Sequence, residues 1–316
     1  MTNGITYHLD TEEKNYGRNR YDDLISRGDV HSYHNKPEPL MLHKGAKKMD
    51  VANLKSAQKS SLLIMNGNDI DSRFTIGFEV EKNSLSRNAV RVYELFCGFE
   101  RDGSCGYEAV THVLPLLPAS TWRTKVFDMM HKAQRIIDDS HSPSDHRCGG
   151  HITMGVEGMS GDEIREAVRK YSGIVYALFR YRFKSQYCRY NARLEKANEW
   201  STPYDERIQH ENGWHNKYQV GLVKDNTFEF RLPSKFESVK QMMRRYELMF
   251  ELLNVSVNKP NTPYKTFMKN IRPLIVSMYE GDEVKADKVI ALSYDMQDFI
   301  THGRDSDTIR KFVRAH

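Results

Sequence analysis

Three short segments of this chain, residues 75–81, 148–153 and 227–232, alternate charged or metal-binding side chains with apolar ones. In a β-strand, successive residues face opposite sides of the sheet. The pattern therefore predicts three strands, each with a polar and an apolar face. If the three strands join one sheet, their carboxylate, imidazole and guanidinium groups converge on a single polar surface.

The predicted polar faces carry five side chains with metal or phosphate chemistry. The first segment contributes Glu79 and Glu81, the second His151, and the third Glu229 and Arg231. Two glutamates on one strand face repel each other and cost free energy if they are buried without neutralisation. A divalent cation removes that cost, and oxygen ligands suit Mg²⁺ or Mn²⁺. The guanidinium group of Arg231 matches the geometry of phosphate.

Each of these motifs also has an ordinary structural interpretation. A Glu-x-Glu or a Glu-x-Arg pair can lie on the solvated face of a sheet, and a single histidine is commonly structural. His151, however, follows Gly149 and Gly150, which allow a ligand or another backbone segment to approach closely. Imidazole in that setting can bind a metal or a phosphate.

Two further segments bring additional candidates. Residues 101–108 predict a tight turn followed by a strand that carries Glu108, a further carboxylate for the metals. In that turn Asp102 and Ser104 are either turn formers or groups that orient a substrate or a metal-bound water. Residues 180–189 interleave basic and aromatic side chains, as in proteins that bind single-stranded nucleic acid. We favour an arginine directed at a phosphate or a substrate carboxylate over nucleic-acid binding.

The composition narrows the class of protein. A net charge of +5 is too weak to indicate nucleic-acid binding by itself. No apolar run approaches the roughly 20 residues needed to span a bilayer, and residues 1–10 lack the apolar core of a signal peptide. The four cysteines form no Cys-x-x-Cys pair, so we expect free thiols in a reducing cytosol rather than a zinc ribbon.

The pattern along the chain predicts an α+β domain. Residues 1–65 form a polar N-terminal extension with one helix at 50–65, and residues 66–316 form a single domain. Helices with serine N-caps are predicted over 120–137, 160–178 and 234–253, and two or three helices after 262. Strands are predicted over 74–82 and 107–111, with a hairpin of 218–223 and 228–231.

In order, the motifs Gly-x-Glu-x-Glu, Asp-x-Ser with a following Glu, Cys-Gly-x-His, Arg with a later Tyr-Cys, and Glu-Phe-Arg resemble the amidoligase family. That family belongs to the carboxylate–amine ligases with the glutamine synthetase and γ-glutamylcysteine ligase fold. The match runs from about Gly77 to Arg231, and the ordered set is more specific than any one motif.

The resemblance implies an antiparallel sheet whose concave face holds ATP and divalent metals, packed by helices and followed by a helical C-terminal part. The implied metal ligands are Glu79, Glu81, Glu108, Glu229 and His151. The implied ATP-binding residues are Arg231, His151 and Lys217, and the implied catalytic residues are Arg231, Glu229 and His151. The implied substrate-binding residues are Asp102, Ser104, Arg182 and Arg189.

The expected activity is an ATP- and Mg²⁺-dependent (or Mn²⁺-dependent) ligase that joins a small-molecule or peptide carboxylate to an amine through an acyl phosphate. A cytoplasmic location and a homo-oligomer are compatible with this class. Three alternatives stay open: a kinase on the same fold, a metal-dependent hydrolase or nuclease, and a non-catalytic protein on a ligase fold. Residues 79–82, Glu-Val-Glu-Lys, lack the usual nuclease spacing of a carboxylate two residues before lysine.

Overall fold

The computed structural model describes residues 73–90, 92–102, 105–156, 158–184, 220–223 and 227–302. In these ranges the chain forms a seven-stranded antiparallel sheet that is packed by helices and followed by a helical C-terminal region. This arrangement confirms the α+β class. The predicted N-terminal extension and its helix at 50–65 lie outside the described residues.

The seven strands pair around a long central strand. They are β1 (Phe74–Lys82), β2 (Phe96–Asp102), β3 (Gly106–Thr111), β4 (Leu114–Pro115), β5 (Ile152–Val156), β6 (Gly221–Val223) and β7 (Thr227–Phe230). The spatial order is β2-β3-β1-β5-β7-β6, and β4 also pairs with β1. On one edge β1 pairs with β3 and β4, and on the other with β5. Strand β1 therefore connects both halves of the sheet.

Eight α-helices accompany the sheet within the described ranges. They are α1 (Arg87–Val90), α2 (Thr121–Lys132), α3 (Gln134–Ile137), α4 (Gly161–Arg169), α5 (Gly173–Leu178), α6 (Val239–Leu253), α7 (Tyr264–Met278) and α8 (Glu283–His302). A 3₁₀ turn (Arg180–Lys184) follows α5, and a π-helical turn (Asn254–Asn258) follows α6. Among these helices none is both long and apolar enough to cross a membrane.

The apolar face of β1 packs against the helical layer, as its alternation predicts. The ring of Phe74 meets that of Phe250 on α6 at 6.4 Å, and the ring of Phe78 meets that of Phe236, just before α6, at 5.6 Å, both edge to face. Full burial of an aromatic side chain such as Phe78 or Phe236 stabilises the fold by roughly 1.5–3 kcal/mol. This packing commits the opposite face of β1, with its two glutamates, to the other side of the sheet.

Lys82, the last residue of β1, is fully buried against the helical layer. Its Nζ donates to the carbonyl oxygens of Ile137 (2.7 Å) and Phe236 (2.9 Å) and to Oδ1 of Asp139 (2.7 Å). Burial lowers the pKa of Lys82, although Asp139 acts in the opposite direction. The lysine thus ties the end of the central strand to two helix-side segments.

The predicted helix over 160–178 is wrong as a single element, because the structure divides it into α4 and α5. The capping box that opens α4 is confirmed, since Ser160 Oγ accepts from the Glu163 N–H and the Glu163 carboxylate accepts from the Ser160 N–H. Helix α5 begins at Gly173, whose N–H donates to Gln297 on α8 and whose Cβ position lies 2.5 Å from the carbonyl oxygen of Ser293. This close approach to α8 decides the break.

Two other boundaries differ from the prediction. The predicted N-cap Ser234 is wrong, because α6 is capped by Ser238, whose Oγ accepts from the N–H of Gln241. Ser234 instead forms an isolated β-bridge with Gly149. Its carbonyl oxygen and its hydroxyl accept hydrogen bonds from the guanidinium group of Arg245. Strand β2 was not predicted, and it forms a hairpin with β3. The helical stretch over 120–137 is interrupted between α2 and α3.

Candidate metal centre

The sheet register brings together three of the five side chains predicted to bind metal. The N–H of Glu79 on β1 donates to the carbonyl oxygen of His151, which immediately precedes β5, at 3.1 Å. On the other edge of β5, Thr153 pairs with Glu229 on β7. One potential ligand atom from each of Glu79, His151 and Glu229 lies within 4.8 Å of the other two, and all three residues are buried. We call these three residues the Glu–His–Glu cluster.

The imidazole of His151 lies among three carboxylates. Its Nδ1 is 2.6 Å from Oε2 of Glu79 and 3.8 Å from Oε1 of Glu229, and its Nε2 is 3.4 Å from Oε1 of Glu81. An ionised Glu79 only accepts hydrogen bonds, and in contact with that form it is Nδ1 that carries the proton. A bound cation would take the place of that proton between the two groups.

Gly149 makes room for this arrangement. Its N–H donates to Oε2 of Glu81 at 2.6 Å. A Cβ atom at this position would lie 2.9 Å from Nε2 of His151, 3.1 Å from Oε1 of Glu81 and 3.2 Å from Nη2 of Arg182. Because Gly149 has no side chain, the side chains of His151, Glu81 and Arg182 can approach one another at this position.

Gly150 is needed for a different reason. A Cβ atom there would collide with the carbonyl oxygen of Ser234 and would lie 2.9 Å from the ring of Phe236 and 3.0 Å from Nη1 of Arg245. These are groups of the packing behind the site and not of the Glu–His–Glu cluster. Gly149 is thus required by the site, whereas Gly150 is required by the packing of the fold.

Glu108 lies beside Glu81 rather than in the three-residue cluster. The β1–β3 register pairs Glu81 directly with Glu108, and both side chains are buried. Like charges directly opposite each other on neighbouring strands are destabilising. Both carboxylates belong to the same polar face, where a cation would relieve their repulsion.

Arg231 binds the cluster directly. Its Nη1 donates to Oε1 of Glu229 at 2.6 Å, and the Glu229 side chain is only 1% exposed, so this pair does not lie on a solvated face. Burial of the guanidinium disfavours its charged form, but Glu229, Glu79, Glu81 and Glu108 outweigh burial and raise the pKa of Arg231. All four carboxylates thus favour the charged form of this one guanidinium group.

Arg182 reaches the edge of the same cluster from the 3₁₀ turn after α5. Its Nη1 donates to the carbonyl oxygens of His146 (3.3 Å) and Cys148 (3.2 Å), and its Nη2 points at the vacant Cβ position of Gly149. The guanidinium is mostly buried. The role of Arg182 in binding an anionic substrate group stays a prediction.

The donor set fits a hard divalent cation. Carboxylate oxygens with one imidazole nitrogen suit Mg²⁺ or Mn²⁺. Four carboxylates crowded on one buried face raise the electrostatic free energy of the folded chain, and a divalent cation lowers it. Cys105 and Cys148, although both are buried near this region, form no disulfide.

Several predicted site residues stay predictions. Asp102 ends β2, where its backbone pairs with Gly106, and its side chain is not described. Ser104, Arg189 and Lys217 lie outside the described residues. The substrate side of the predicted site is therefore represented by Arg182 alone in the described part of the chain.

Thr153 is a member of the polar face that the sequence did not single out. It lies two residues after His151, so the same alternation that predicts the direction of His151 also applies to it. The register places it between Gly77 on β1 and Glu229 on β7. A small hydroxyl in a strand is so common that only its neighbours in the sheet draw attention to it.

No family model matches the chain. No curated protein and no solved structure is significantly similar to it.

Proposed function

We propose that this protein is an ATP- and Mg²⁺-dependent (or Mn²⁺-dependent) ligase that joins a carboxylate to an amine through an acyl phosphate. The observation that supports this most directly is the buried Glu–His–Glu cluster with the guanidinium of Arg231 bonded to it at 2.6 Å. The ordered motifs that resemble the amidoligase family point to the same chemistry, as does the antiparallel sheet that carries them.

The reaction needs activation, because a carboxylate has a poor leaving group and does not react with an amine in water at useful rates. Phosphoryl transfer to the carboxylate is governed by positioning and by neutralisation of charge. A divalent cation held by Glu79, His151 and Glu229 would neutralise charge on the phosphates of ATP. Arg231 carries a permanent positive charge and a fork of donors that matches a phosphoryl group.

The chain's own groups are held in place for this task. Glu229 fixes the guanidinium of Arg231 by an ion pair, and the Gly149 N–H fixes Glu81. Arg182 would bind the carboxylate of the acid substrate, because two carbonyl oxygens anchor its Nη1 and its Nη2 lies beside the cluster, 3.2 Å from the Cβ position of Gly149. We further propose a small-molecule or peptide acid as substrate and a cytoplasmic location.

The test is a screen for ADP formation with mixtures of carboxylic acids and amines, followed by the mass of the product. Glu229→Gln should reduce ADP release on the order of a hundredfold, because one charged contact in the transition state of phosphoryl transfer is lost. Glu81→Ala removes a carboxylate altogether and should abolish ADP release. The matched control is Glu247→Gln, which breaks an ion pair of the same length (2.6 Å) with Arg244 on α6.

Distinct outcomes would contradict the proposal. Unchanged turnover in Glu229→Gln removes that residue from the mechanism. The absence of any rise in melting temperature with Mg²⁺ and any nucleotide would contradict ATP binding, because a bound ligand stabilises by mass action. Phosphate left on the acceptor would indicate a kinase, and turnover without ATP would indicate a metal-dependent hydrolase.

A further inference from the structure

Thr153 carries a buried hydroxyl that has no hydrogen-bond partner in the described structure. The residue is 4% exposed, and its Oγ1 is inaccessible to solvent. A hydroxyl can donate one hydrogen bond and accept two, and buried polar atoms are almost always bonded. An orphaned hydroxyl of this kind inside a sheet indicates a partner that the described residues do not supply.

The side chain points toward the Glu–His–Glu cluster. On β5 the neighbouring residues Ile152 and Met154 are fully buried in the apolar core, so Thr153 projects from the opposite face. Its direct neighbours across the two flanking strands are Gly77, which has no side chain, and Glu229. Thr153 therefore lies one strand spacing from Glu229, a residue of the cluster, on the same face of the sheet.

Another buried threonine on the same sheet behaves differently. Thr111 Oγ1 accepts from the N–H of Phe78 at 2.9 Å and donates to the carbonyl oxygen of His112 at 2.9 Å. Its hydroxyl is fully used in holding β1 against the end of β3. The contrast separates a structural threonine from Thr153, whose hydroxyl stays available.

We infer that Thr153 is a positioning residue that orients an oxygen ligand of the cation held by Glu79, His151 and Glu229. The hydroxyl donates a hydrogen bond to that oxygen, which belongs either to a water molecule or to a phosphate. Both share the same acceptor chemistry. This role rests on the cation site proposed above and adds to it a group that fixes where the non-protein ligands lie.

The test compares Mn²⁺ binding in three variants by isothermal titration. Thr153→Val removes the hydroxyl and keeps the shape, and Thr153→Ser keeps the hydroxyl. Ser256→Ala is the matched control, because Ser256 also has a buried hydroxyl without a partner but lies in the π-helical turn after α6. We expect Thr153→Val to weaken binding on the order of tenfold, as is typical when a group beside the metal ligands is lost. Thr153→Ser and Ser256→Ala should bind as the wild type does.

The melting temperature without a cation separates the two roles, because it would fall in Thr153→Val if Thr153 were merely structural. Thr153→Val should melt at or above the wild-type temperature, because it removes an unsatisfied buried hydroxyl. A clearly lower melting temperature of the cation-free variant would overturn the positioning role. If Thr153→Val is too unstable for titration, Thr153→Ala, which also lacks the hydroxyl, provides the Mn²⁺-binding comparison.

The titrations are repeated with Mn²⁺ and a non-hydrolysable ATP analogue. If Thr153→Val binds Mn²⁺ more weakly in the titration without nucleotide, the oxygen belongs to a water molecule. If its binding is weaker only when the ATP analogue is present, the oxygen belongs to a phosphate. Equal binding by the wild type and Thr153→Val in both titrations overturns the role of Thr153 and leaves the cation site standing. Failure of the wild type to bind Mn²⁺ in either titration overturns both proposals.

Discussion

Replacing Gly149 with alanine should damage the cation site far more than the fold. Gly149 does not belong to the glycines with positive φ, so its backbone accepts alanine. The new methyl group would lie 2.9 Å from Nε2 of His151 and 3.1 Å from Oε1 of Glu81, whereas ordinary contacts of a Cβ atom begin at about 3.4 Å. The imidazole must therefore move by a few tenths of an ångström.

The magnitude follows from how firmly the neighbours are held. His151 cannot simply turn away, because its Nδ1 is bonded to Glu79 at 2.6 Å. Overpacking of this kind costs about 1–3 kcal/mol, and the loss of glycine's freedom in the unfolded chain offsets about 0.4–1 kcal/mol. The net loss of about 0–2.6 kcal/mol corresponds to a fall of up to about 10 °C in melting temperature. Metal–ligand distances tolerate only about 0.2 Å, so Mn²⁺ affinity should fall tenfold or more.

The assay is isothermal titration with Mn²⁺ beside thermal melting, with Gly150→Ala as the control. In Gly150→Ala the methyl group collides with the backbone carbonyl of Ser234, which cannot move as a flexible side chain can. Gly150→Ala should therefore lose more stability than Gly149→Ala. A Gly149→Ala variant that binds Mn²⁺ as tightly as the wild type would refute the reasoning. The reasoning would also be refuted if the melting temperature of Gly149→Ala fell as far below that of the wild type as the melting temperature of Gly150→Ala does.

Two further predictions concern the ammonium–carboxylate group behind the sheet. Lys82→Met should cost about 2–6 kcal/mol of unfolding free energy in urea denaturation, because the buried carbonyl oxygens of Ile137 and Phe236 each lose a donor at about 1–3 kcal/mol, while Asp139 keeps Lys235. A loss below about 1 kcal/mol would contradict the role of Lys82. Burial raises the pKa of Asp139, but hydrogen bonds from Lys235 and Lys82 outweigh burial, so that the folded-state pKa is lowered. A carboxyl of this kind stabilises the fold above its unfolded pKa of about 4, and the contribution is lost as the pH falls through the lowered value. Asp139→Asn should therefore flatten the pH dependence of the unfolding free energy below about pH 5, and an unchanged slope would count against this assignment.

The strands that carry the site could be predicted because their signal is local. Residues 74–82 alternate so regularly that the observed bounds of β1 match the predicted ones, and the hairpin of β6 and β7 follows its predicted order. The capping box at Ser160 is equally local, since all of its donors and acceptors lie within one helical turn.

Other elements depended on distant partners and were predicted wrongly or not at all. The choice of Ser238 over Ser234 as the cap of α6 depends on the bridge that Ser234 makes with Gly149, far away in the chain. The division of α4 from α5 depends on the contact of Gly173 with α8. Strand β2 depends on its pairing with β3. None of these partners lies within the few residues that set a local pattern.

The sequence by itself determined which side chains share a strand face, because alternation along an extended backbone is a property of the covalent chain. It thereby determined that Glu79 and Glu81 project together, and that Glu229 and Arg231 do. Only the tertiary structure decided that β5 pairs with β1 on one edge and with β7 on the other. That register is selected by burial of the apolar faces against the helices, and it brings His151 and Thr153 between carboxylates that are 150 positions apart in the chain, Glu79 and Glu229.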